Sequence, residues 1–497
     1  MKVLFYLEPH PIRASFTQHV WIGRLVAQMI QDYVLSAHGR QAADIDCRIL
    51  VTRHQSRDLL REYRQITPAF IGLTREENDH IESLLGPWDA QHMESWKRLM
   101  RGTGPENEFY RALLERVRST VFEFDTIVYW GTNGVVRKFA VEHDVLPVSM
   151  ELGATRAPLL ETIYFDPYGV NGDAMTQAID LNSVPPISLD AIHGTMPVRD
   201  FGSLSQAIQD PVESQSSEAI YTNVGANVLI PMQLDDDSNI LMHSEYSSML
   251  AMLEDIVPKL TDAGYTCFVK PHPGAKHQII NQLGHAACQA FVELTEGAHW
   301  LDDVTESRRY LSLLQKMDVI VTNNSSVGFE SMLLGKVVIP LGRACYTIAG
   351  VHPTLDALLD GSFDPVHYRD RLERALNILL FHYLVPRYQA FDMQTFASQL
   401  KRAKTILDQG RTAPETHAKL LLANPSSTLQ DYALYRERAE IVQRYRHHNR
   451  RINEPKHGLV DKVRINAKLL RQSPDAFQAK VKNYVRKRVN RLSSSLS

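Results

Sequence analysis

Residues 319–342 read VIVTNNSSVGFESMLLGKVVIPLG, and the expected fold follows from this stretch. An apolar run ends at Thr322, polar residues follow, residues 326–335 favour a helix, and Val337–Leu341 is apolar again. A strand, a helix and a second strand in this order predict a parallel βαβ unit, because parallel neighbours need a crossover connection. In such units ligands bind in the loops that follow the strands.

Similar patterns continue on both sides of this unit. In the same half we predict three more strands, at Asn227–Met232, Thr266–Val269 and Phe291–Leu294. In the first half we predict four strands, at Lys2–Leu7, Cys47–Thr52, Asp125–Trp130 and Leu146–Met150. Helices around Asp364–Tyr383 and Gln394–Leu407 are expected to close the second half. Two such halves predict an α/β protein of the GT-B type, in which two Rossmann-like domains face a cleft.

The alternation breaks down between about Ser183 and Asn223, where Pro, Ser, Asp and Gln are frequent. Such a composition predicts an interdomain linker. We therefore expect domains over 1–200 and 224–415, a linker over 201–223 and a helical basic tail over 416–497.

The composition is that of an ordinary globular protein: 497 residues, 44% hydrophobic and 22% charged. The four cysteines lie far apart without zinc-ligand spacing, which argues against a disulfide scaffold or a structural zinc site. The sequence has no apolar run of about 18 residues, and the N-terminal segment is too short for a signal peptide. We expect a cytoplasmic protein.

Charge is unevenly distributed, because residues 436–497 contain 17 basic and 5 acidic residues in a chain of net charge −3. Apolar residues in this tail fall at helical spacing between lysines and arginines: Phe477, Val481, Tyr484, Val485, Val489 and Leu492. A basic amphipathic helix predicts peripheral binding to an anionic surface, here the inner face of the cytoplasmic membrane. Nucleic acid is disfavoured because no RNA- or DNA-binding signature is present. A solvated helix packing on a neighbouring subunit is the other alternative.

The segment FVKPHP, residues 268–273, lies at the end of a predicted strand. In an extended segment Lys270 and His272 share one side of the chain, and Pro273 stiffens the loop. Such a pair can bind a nucleotide phosphate. An isolated motif of this length is as often a plain turn with a surface lysine and a packed histidine.

Asn324, Ser325 and Ser326 follow the strand that ends at Thr322. Either serine can cap the next helix, and the hydroxyls with the free N–H groups then favour an anion. Glu330, about one turn later, can accept hydrogen bonds from ribose hydroxyls. A plain capped helix is the simpler interpretation of two serines alone, but two such loops in one half favour a nucleotide site.

Carboxylates also follow predicted strands. Asp235, Asp236 and Asp237 are consecutive, a pattern typical of a solvated loop or metal site, although one of them held in a cleft can be a nucleophile. In an extended segment Asp235 and Asp237 would lie on one side and Asp236 on the other. Glu151 ends a strand of the first half, where a surface position is the simpler expectation.

The combination of Q-x-x-x-D, from Gln233 to Asp237, with K-x-H-P, from Lys270 to Pro273, resembles the retaining β-Kdo glycosyltransferases of bacterial capsule and lipopolysaccharide assembly. Residues 324–336 and 341–344 resemble the capsule members. The resemblance covers about 227–350. In the first half it rests on three segments: Glu8–Pro11, Glu151–Gly153 and Asp166–Asn171.

The resemblance implies transfer of β-Kdo from CMP-β-Kdo to a saccharide or glycolipid acceptor with no metal or other cofactor. The first domain would take the acceptor and the second the CMP. Asp237 matches the nucleophile of this family, although Asp235 and Asp236 leave the assignment open. Gln233 and Glu151 are the other expected catalytic residues, with Glu151 as the base for the acceptor. The residues expected to bind CMP are Lys270, His272, Pro273, Asn324, Ser325, Ser326 and Glu330. His10, Arg13 and Arg343 are expected partners of a sugar or acceptor carboxylate.

Three alternatives stay open at this point. A sialyltransferase-like GT-B enzyme would use the same CMP-binding residues without a covalent adduct. A CDP-glycerol or CDP-ribitol phosphotransferase is more distant. A non-catalytic polysaccharide-assembly subunit with a relic nucleotide site is the alternative from a different class.

Overall fold

The computed structural model of the chain describes residues 1–36, 45–199, 201–209, 227–301, 307–410 and 417–423, together with Pro425, Ser426 and Tyr432. Among helices in these ranges, none is both long and apolar enough to cross a bilayer. The predicted amphipathic helix between Phe477 and Leu492 lies outside the described residues, as does the linker segment 210–223.

Twelve strands are present in the described part of the chain. They are β1 (Lys2–Tyr6), β2 (Asp46–Val51), β3 (Phe70–Gly72), β4 (Thr126–Trp130), β5 (Leu146–Leu152), β6 (Thr162–Asp166), β7 (Asn227–Pro231), β8 (Thr266–Lys270), β9 (Ala298–Trp300), β10 (Val319–Thr322), β11 (Val337–Pro340) and β12 (Val385–Pro386).

Eighteen α-helices accompany these strands in the same ranges. They are α1 (Val20–Leu35), α2 (Arg53–Glu62), α3 (Arg75–Ser83), α4 (Ala90–Arg101), α5 (Gly104–Arg116), α6 (Gly134–Glu142), α7 (Leu189–Thr195), α8 (Leu204–Gln209), α9 (Ser238–His243), α10 (Met249–Asp262), α11 (Ile279–Glu293), α12 (Ser307–Lys316), α13 (Ser326–Met332), α14 (Leu355–Leu359), α15 (Pro365–Ile378), α16 (Arg387–Ala390), α17 (Met393–Gly410) and α18 (His417–Leu422).

The strands form two sheets. The first has the order β12-β6-β5-β4-β1-β2-β3 and is parallel except at β6 and β12; the second has the order β11-β10-β7-β8-β9 and is parallel throughout. In each sheet the strand order proceeds outward in both directions from a central pair of strands. The central pair is β1 with β4 in the first sheet and β7 with β10 in the second. This is the Rossmann order, in which the loops after the central pair frame a ligand crevice. The mixed α/β fold with two Rossmann-like sheets agrees with the expected GT-B class.

We call the first sheet with α1–α6 and α17 the first lobe, and the second sheet with α9–α13 the second lobe. Apolar contacts join them, since Leu241 and Met242 of α9 and Ile280 of α11 pack against the first-lobe cluster around Tyr6 and Trp96. Both lobes belong to one compact unit, Met1–Leu434.

Two expectations about the elements differ from the structure. Phe291–Leu294 is not a strand but the end of α11, because Val292 is buried on the helix face whereas Leu294 is exposed. Gln394–Leu407 does not close the second half. It lies in α17, which packs against the first sheet, and β12 pairs with β6. The chain thus returns to the first lobe, whose core its apolar residues complete.

The expected linker region also contains ordered structure. α7 and α8 contribute Leu189, Ile192, Leu204 and Ala207 to a core cluster shared with the second sheet. Residues 204–209 of this region form α8 and pack against that core.

Candidate active site

A cavity of about 700 Å³, including its open mouth, lies between the carboxyl ends of the two sheets. Its lining combines residues of both lobes: Glu151, Leu152, Gly153, Ala154, Arg156, Asn171, Gln233, Asp237, Asn239, His272, Asn324, Ser325, Ser326, Ala344, Cys345 and Tyr346. The second-lobe part comes mainly from the loops after β7 and β10, the central pair of that sheet. This is the position at which open α/β sheets bind ligands.

The three consecutive aspartates after β7 point to three different places. The segment is a turn, closed by the Asp237 N–H donating to the Leu234 carbonyl at 2.9 Å. Asp235 accepts the Met249 N–H at 2.8 Å and lies against α11, where a β-carbon at Gly284 would come within 2.6 Å of its Oδ2. The expectation that Asp235 and Asp237 share one side is wrong, because a turn does not alternate as a strand does.

Asp236 is the most constrained of the three. Its carboxylate is fully buried and accepts two hydrogen bonds from Arg13, at 2.9 and 2.8 Å. It also accepts the Trp88 indole N–H and the Asn281 amide, each at 2.8 Å. Four N–H donors therefore satisfy this carboxylate. Asp236 is not part of the cavity lining.

Asp237 alone of the three lines the cavity. Its Oδ1 accepts the Asn239 N–H at 2.9 Å, which caps α9. Burial raises the pKa of this carboxyl and the charge of Asp236 adds to the rise, while the Asn239 hydrogen bond and the charges of Arg13 and Arg156 oppose it. Those groups favour the ionised form, which a nucleophile needs.

Glu151 faces the same cavity from the end of β5 in the first lobe. Its Oε1 accepts the Leu152 N–H at 2.7 Å. Burial raises the pKa of Glu151 to about 7, against the opposing effects of that hydrogen bond and of Arg156, and the charge of Asp237 adds to the rise. Two carboxyl groups with different environments in one cleft can divide the roles of nucleophile and base.

Arg156 supplies a permanent positive charge to the lining. Its guanidinium donates to the carbonyls of Gly153, Leu152 and Thr155, and these bonds hold it over the turn that follows β5. The charge acts on both Glu151 and Asp237. A guanidinium in such a cavity matches the geometry of a carboxylate or phosphate ligand.

The loop after β10 is tied to the loop after β7. The Gln233 amide donates to Asn324 Oδ1 at 2.7 Å, and its oxygen accepts the Asn324 N–H at 3.1 Å. The Asn324 amide in turn donates to the Asn239 carbonyl at 3.0 Å. Gln233 is 7% exposed, and its hydrogen bonds hold the two loops together.

Ser325 and Ser326 both line the cavity, and Ser325 caps α13 through the Val327 N–H at 3.3 Å. The Tyr346 hydroxyl donates to the Ser325 carbonyl at 2.6 Å and passes over Gly328. A β-carbon at Gly328 would lie 2.6 Å from that hydroxyl, so this position requires glycine. α13 has only seven residues, and the serine hydroxyls are therefore the main anion donors of this loop.

His272, on the loop after β8, also lines the cavity. Its Nδ1 accepts the Gly274 N–H at 3.0 Å, so a neutral ring carries its proton on Nε2. Lys270 is buried below, with its Nζ 5.9 Å from the centre of the Tyr310 ring. Pro273 is exposed, and neither Lys270 nor Pro273 is part of the lining.

Glu330 differs from its expected ribose role. It is 2% exposed, and its oxygens accept the Arg156 N–H at 3.1 Å and the Tyr310 hydroxyl. Burial raises the pKa of Glu330 to about 7. Because both oxygens are occupied and solvent is excluded, Glu330 connects α13 to the turn that carries Arg156.

The three expected carboxylate partners lie outside the lining. His10 is buried in the first lobe, where Nδ1 contacts the Tyr110 hydroxyl at 3.0 Å and burial lowers its pKa to about 4. Arg13 pairs with Asp236. Arg343 is exposed and donates to the Gly172 carbonyl at 3.2 Å.

Asn171 reaches the cavity because a buried aspartate organises the loop after β6. Asp166 accepts the N–H groups of Tyr168 and Met175 at 2.7 and 2.8 Å and the Tyr383 hydroxyl at 2.8 Å. Burial raises the pKa of Asp166 to about 6. Asn171 then donates to the Asn239 side chain beside Asp237.

Sequence reasoning missed Arg156, Asn239 and Tyr346 as lining residues. Arg156 had a local signal, since it follows Glu151 within the same post-strand turn. The position of Tyr346 depends on long-range packing, for which the sequence has no local pattern. Among the described residues, no three His, Cys, Asp or Glu side chains gather as metal ligands.

Comparison with known proteins adds a family match. Residues 197–377 match a family model described as "Capsule polysaccharide biosynthesis protein". Protein FixF of Sinorhizobium fredii is 30% identical over 194 residues, which are 38% of this chain and 41% of that protein. The capsule polysaccharide modification protein LipA of Neisseria meningitidis serogroup A is 27% identical over 302 residues, which are 56% of this chain and 40% of LipA.

The chain therefore spans about two fifths of the length of these curated relatives. A solved structure titled Thermosulfurimonas dismutans KpsC, beta Kdo 2,7 transferase, aligns at 15% identity over 72% of this chain and 99% of that chain, with a TM-score of 0.34. The matched segment 197–377 contains the loops of Gln233–Asp237, Lys270–Pro273 and Asn324–Ser326. Over that segment the chain is similar to capsule polysaccharide biosynthesis proteins.

Proposed function

We propose that this chain is a retaining glycosyltransferase that moves β-Kdo from CMP-β-Kdo to a saccharide or glycolipid acceptor in cell-surface polysaccharide synthesis. The observation that carries the proposal is the convergence, in one cavity, of Asp237, Glu151, Arg156, His272 and the Ser325–Ser326 pair. The family match over 197–377 and the names of the curated relatives support a role in capsule polysaccharide synthesis.

The donor fits this lining by charge. The CMP phosphate would meet His272 and the two serine hydroxyls on the second-lobe side, with the charge of buried Lys270 beneath the loop. The carboxylate of a 2-keto sugar acid would meet Arg156, whose five N–H donors exceed the three carbonyl contacts that hold it. No metal ion or other cofactor enters the proposal.

In the first step the Asp237 carboxylate attacks the anomeric carbon while the bond from that carbon to the phosphate oxygen breaks. The products are an aspartyl-sugar ester and CMP. In the second step an acceptor hydroxyl attacks the same carbon, its proton passes to Glu151, and Asp237 departs as a carboxylate. Two inversions give net retention, and each passes through an oxocarbenium-like transition state that a nearby carboxylate stabilises.

The rate of the second step should depend on the ionisation of Glu151. Because burial raises the pKa of Glu151 to about 7, the base is protonated below that pH and active above it. We expect kcat to rise with pH to a plateau above about 7, measured as transfer to acceptor between about pH 5 and 9. Glu151→Gln should lower kcat by about 100-fold and abolish the rise of kcat with pH, which is the acidic limb of the profile.

Glu330 provides the matched control, because burial raises its pKa to about 7 as well and it lies outside the lining. Glu330→Gln should keep the acidic limb. A limb that persists in Glu151→Gln, or that disappears only in Glu330→Gln, would exclude Glu151 as the base.

We also propose that the basic segment between Phe477 and Leu492 binds the anionic inner face of the cytoplasmic membrane, which rests on its sequence pattern. The full chain should sediment with vesicles of anionic lipid and not with zwitterionic vesicles. A chain ending at Leu434, the limit of the compact unit, should stay in the supernatant in both cases. Equal sedimentation of both chains with anionic vesicles would reject the proposal.

A further inference from the structure

The Asp236 carboxylate joins the two lobes directly beside the cavity. Arg13 and Trp88 reach it from the first lobe, whereas Asn281 reaches it from α11 of the second lobe. We call these four residues the Asp236 clamp. Three of the four hydrogen bonds to this carboxylate cross between the lobes, so it is fully paired only when the lobes are together.

Burial makes the loss of any hydrogen bond to the Asp236 carboxylate energetically costly. The Asp236 side chain is fully excluded from solvent, and the Arg13 side chain is 22% exposed. A buried carboxylate that loses its donors is left with an uncompensated charge, which proteins tolerate poorly. The clamp therefore strongly favours one arrangement of Asp236 relative to the first lobe.

Arg13 reaches Asp236 from an unusual turn. Arg13 and Ala14 have φ values of 53° and 55°, and the Ile12 and Ser15 backbones exchange two hydrogen bonds of 3.0 Å around them. Two successive left-handed residues that are not glycine are costly, and such conformations persist where the surrounding structure demands them. From this turn Arg13 makes its bidentate pair with Asp236 of the second lobe.

Asp236 is one peptide unit from Asp237 in a turn closed by a 2.9 Å hydrogen bond. Because the two residues are adjacent in this closed turn, a displacement of the Asp236 backbone also displaces the Asp237 backbone. We propose that Asp236 is a positioning residue: through Arg13 and Trp88 it sets the distance from Asp237 to the reacting carbon, and so couples nucleophile placement to the meeting of the lobes. The inference rests on Asp237 being the nucleophile of the proposed function.

The test compares Asp236→Asn with the wild-type chain and with a control, Asp255→Asn. Asp255 is an exposed carboxylate of α10 that accepts hydrogen bonds from Tyr246 and Lys259. With CMP-Kdo as the probe, Asp236→Asn should lower kcat by about 100-fold, the size expected from a displacement of about 1 Å. The affinity for CMP, measured by calorimetry, should change by less than about threefold, because no CMP-facing residue is altered. Asp255→Asn should match the wild type.

Trp88→Phe is the second variant, since it removes one hydrogen bond and keeps an aromatic ring. It should lower kcat by about tenfold. Hydrogen–deuterium exchange of peptides covering 10–16 and 84–89 should be faster in both variants and unchanged in Asp255→Asn. The exchange measurement does not require the sugar donor CMP-Kdo.

The outcomes separate the two claims. If exchange rises while kcat per folded molecule stays at the wild-type value, the clamp is only structural and the positioning role is refuted. If neither quantity changes, the clamp itself is refuted. If wild-type chain does not turn over CMP-Kdo, the proposed function fails, and the clamp is then judged by whether exchange rises in the two variants.

Discussion

Replacing Asp237 with alanine is expected to lower transfer by about 10⁴-fold or more, because it removes the atom that forms the bond to the sugar. Asp237 is the one member of the aspartate triplet in the cavity lining, and Arg13 and Arg156 favour its ionised form. CMP should still bind with an affinity within about threefold of wild type, since His272, Ser325 and Ser326 are unchanged in this variant. Transfer from CMP-Kdo and calorimetry of CMP measure the two quantities.

Asp235→Asn is the matched control for this prediction. It keeps an oxygen for the Met249 N–H and lies away from the cavity. Its transfer rate should stay within about tenfold of wild type, a range typical of a structural change near a site. If Asp237→Ala retains such a rate while Asp235→Asn loses transfer, the assignment of the nucleophile is wrong.

Replacing Arg156 with methionine is expected to raise the KM for CMP-Kdo by about 100-fold, the value of one bidentate charged contact. The side chain lines the cavity beside Glu151 and Asp237, and no other permanently charged cation is in this lining. The backbone N–H to Glu330 remains in the variant. CMP itself lacks the sugar carboxylate, so its affinity should be nearly unchanged.

Two further variants test whether Arg156 binds the sugar carboxylate or the phosphate. His272→Ala should weaken CMP and CMP-Kdo alike, by about tenfold, because His272 faces the phosphate that both share. Arg343→Met should change neither, since Arg343 is exposed outside the lining. A loss of CMP affinity in Arg156→Met equal to the loss of donor affinity would place Arg156 at the phosphate instead of the carboxylate.

The strand and loop around the Ser325–Ser326 pair could be predicted from the sequence because their causes are local. The apolar run Val319–Thr322 is a buried strand, and Ser325 caps the helix that follows, as its side chain allows. The strand expected at Phe291–Leu294 was wrong for an equally local reason. Three apolar residues in a stretch of four do not distinguish a strand from the end of an amphipathic helix.

Long-range packing decides what the sequence could not predict. The roles of Asp235, Asp236 and Asp237 separate only when Met249, Arg13 and Asn239 arrive from other parts of the chain. The expected binding role of Arg13 became a pairing with Asp236 for the same reason.

The intact mass of the full chain after incubation with CMP-Kdo and no acceptor shows whether Asp237 forms a covalent bond to the sugar. Glu151→Gln should be included, because loss of the base slows release of the sugar and should increase the amount of adduct. We expect a mass increase of one Kdo residue, located by peptide mapping to Asp237 and absent from Asp237→Ala. An active enzyme that forms no adduct in either chain, or an adduct on another residue, would contradict this expectation.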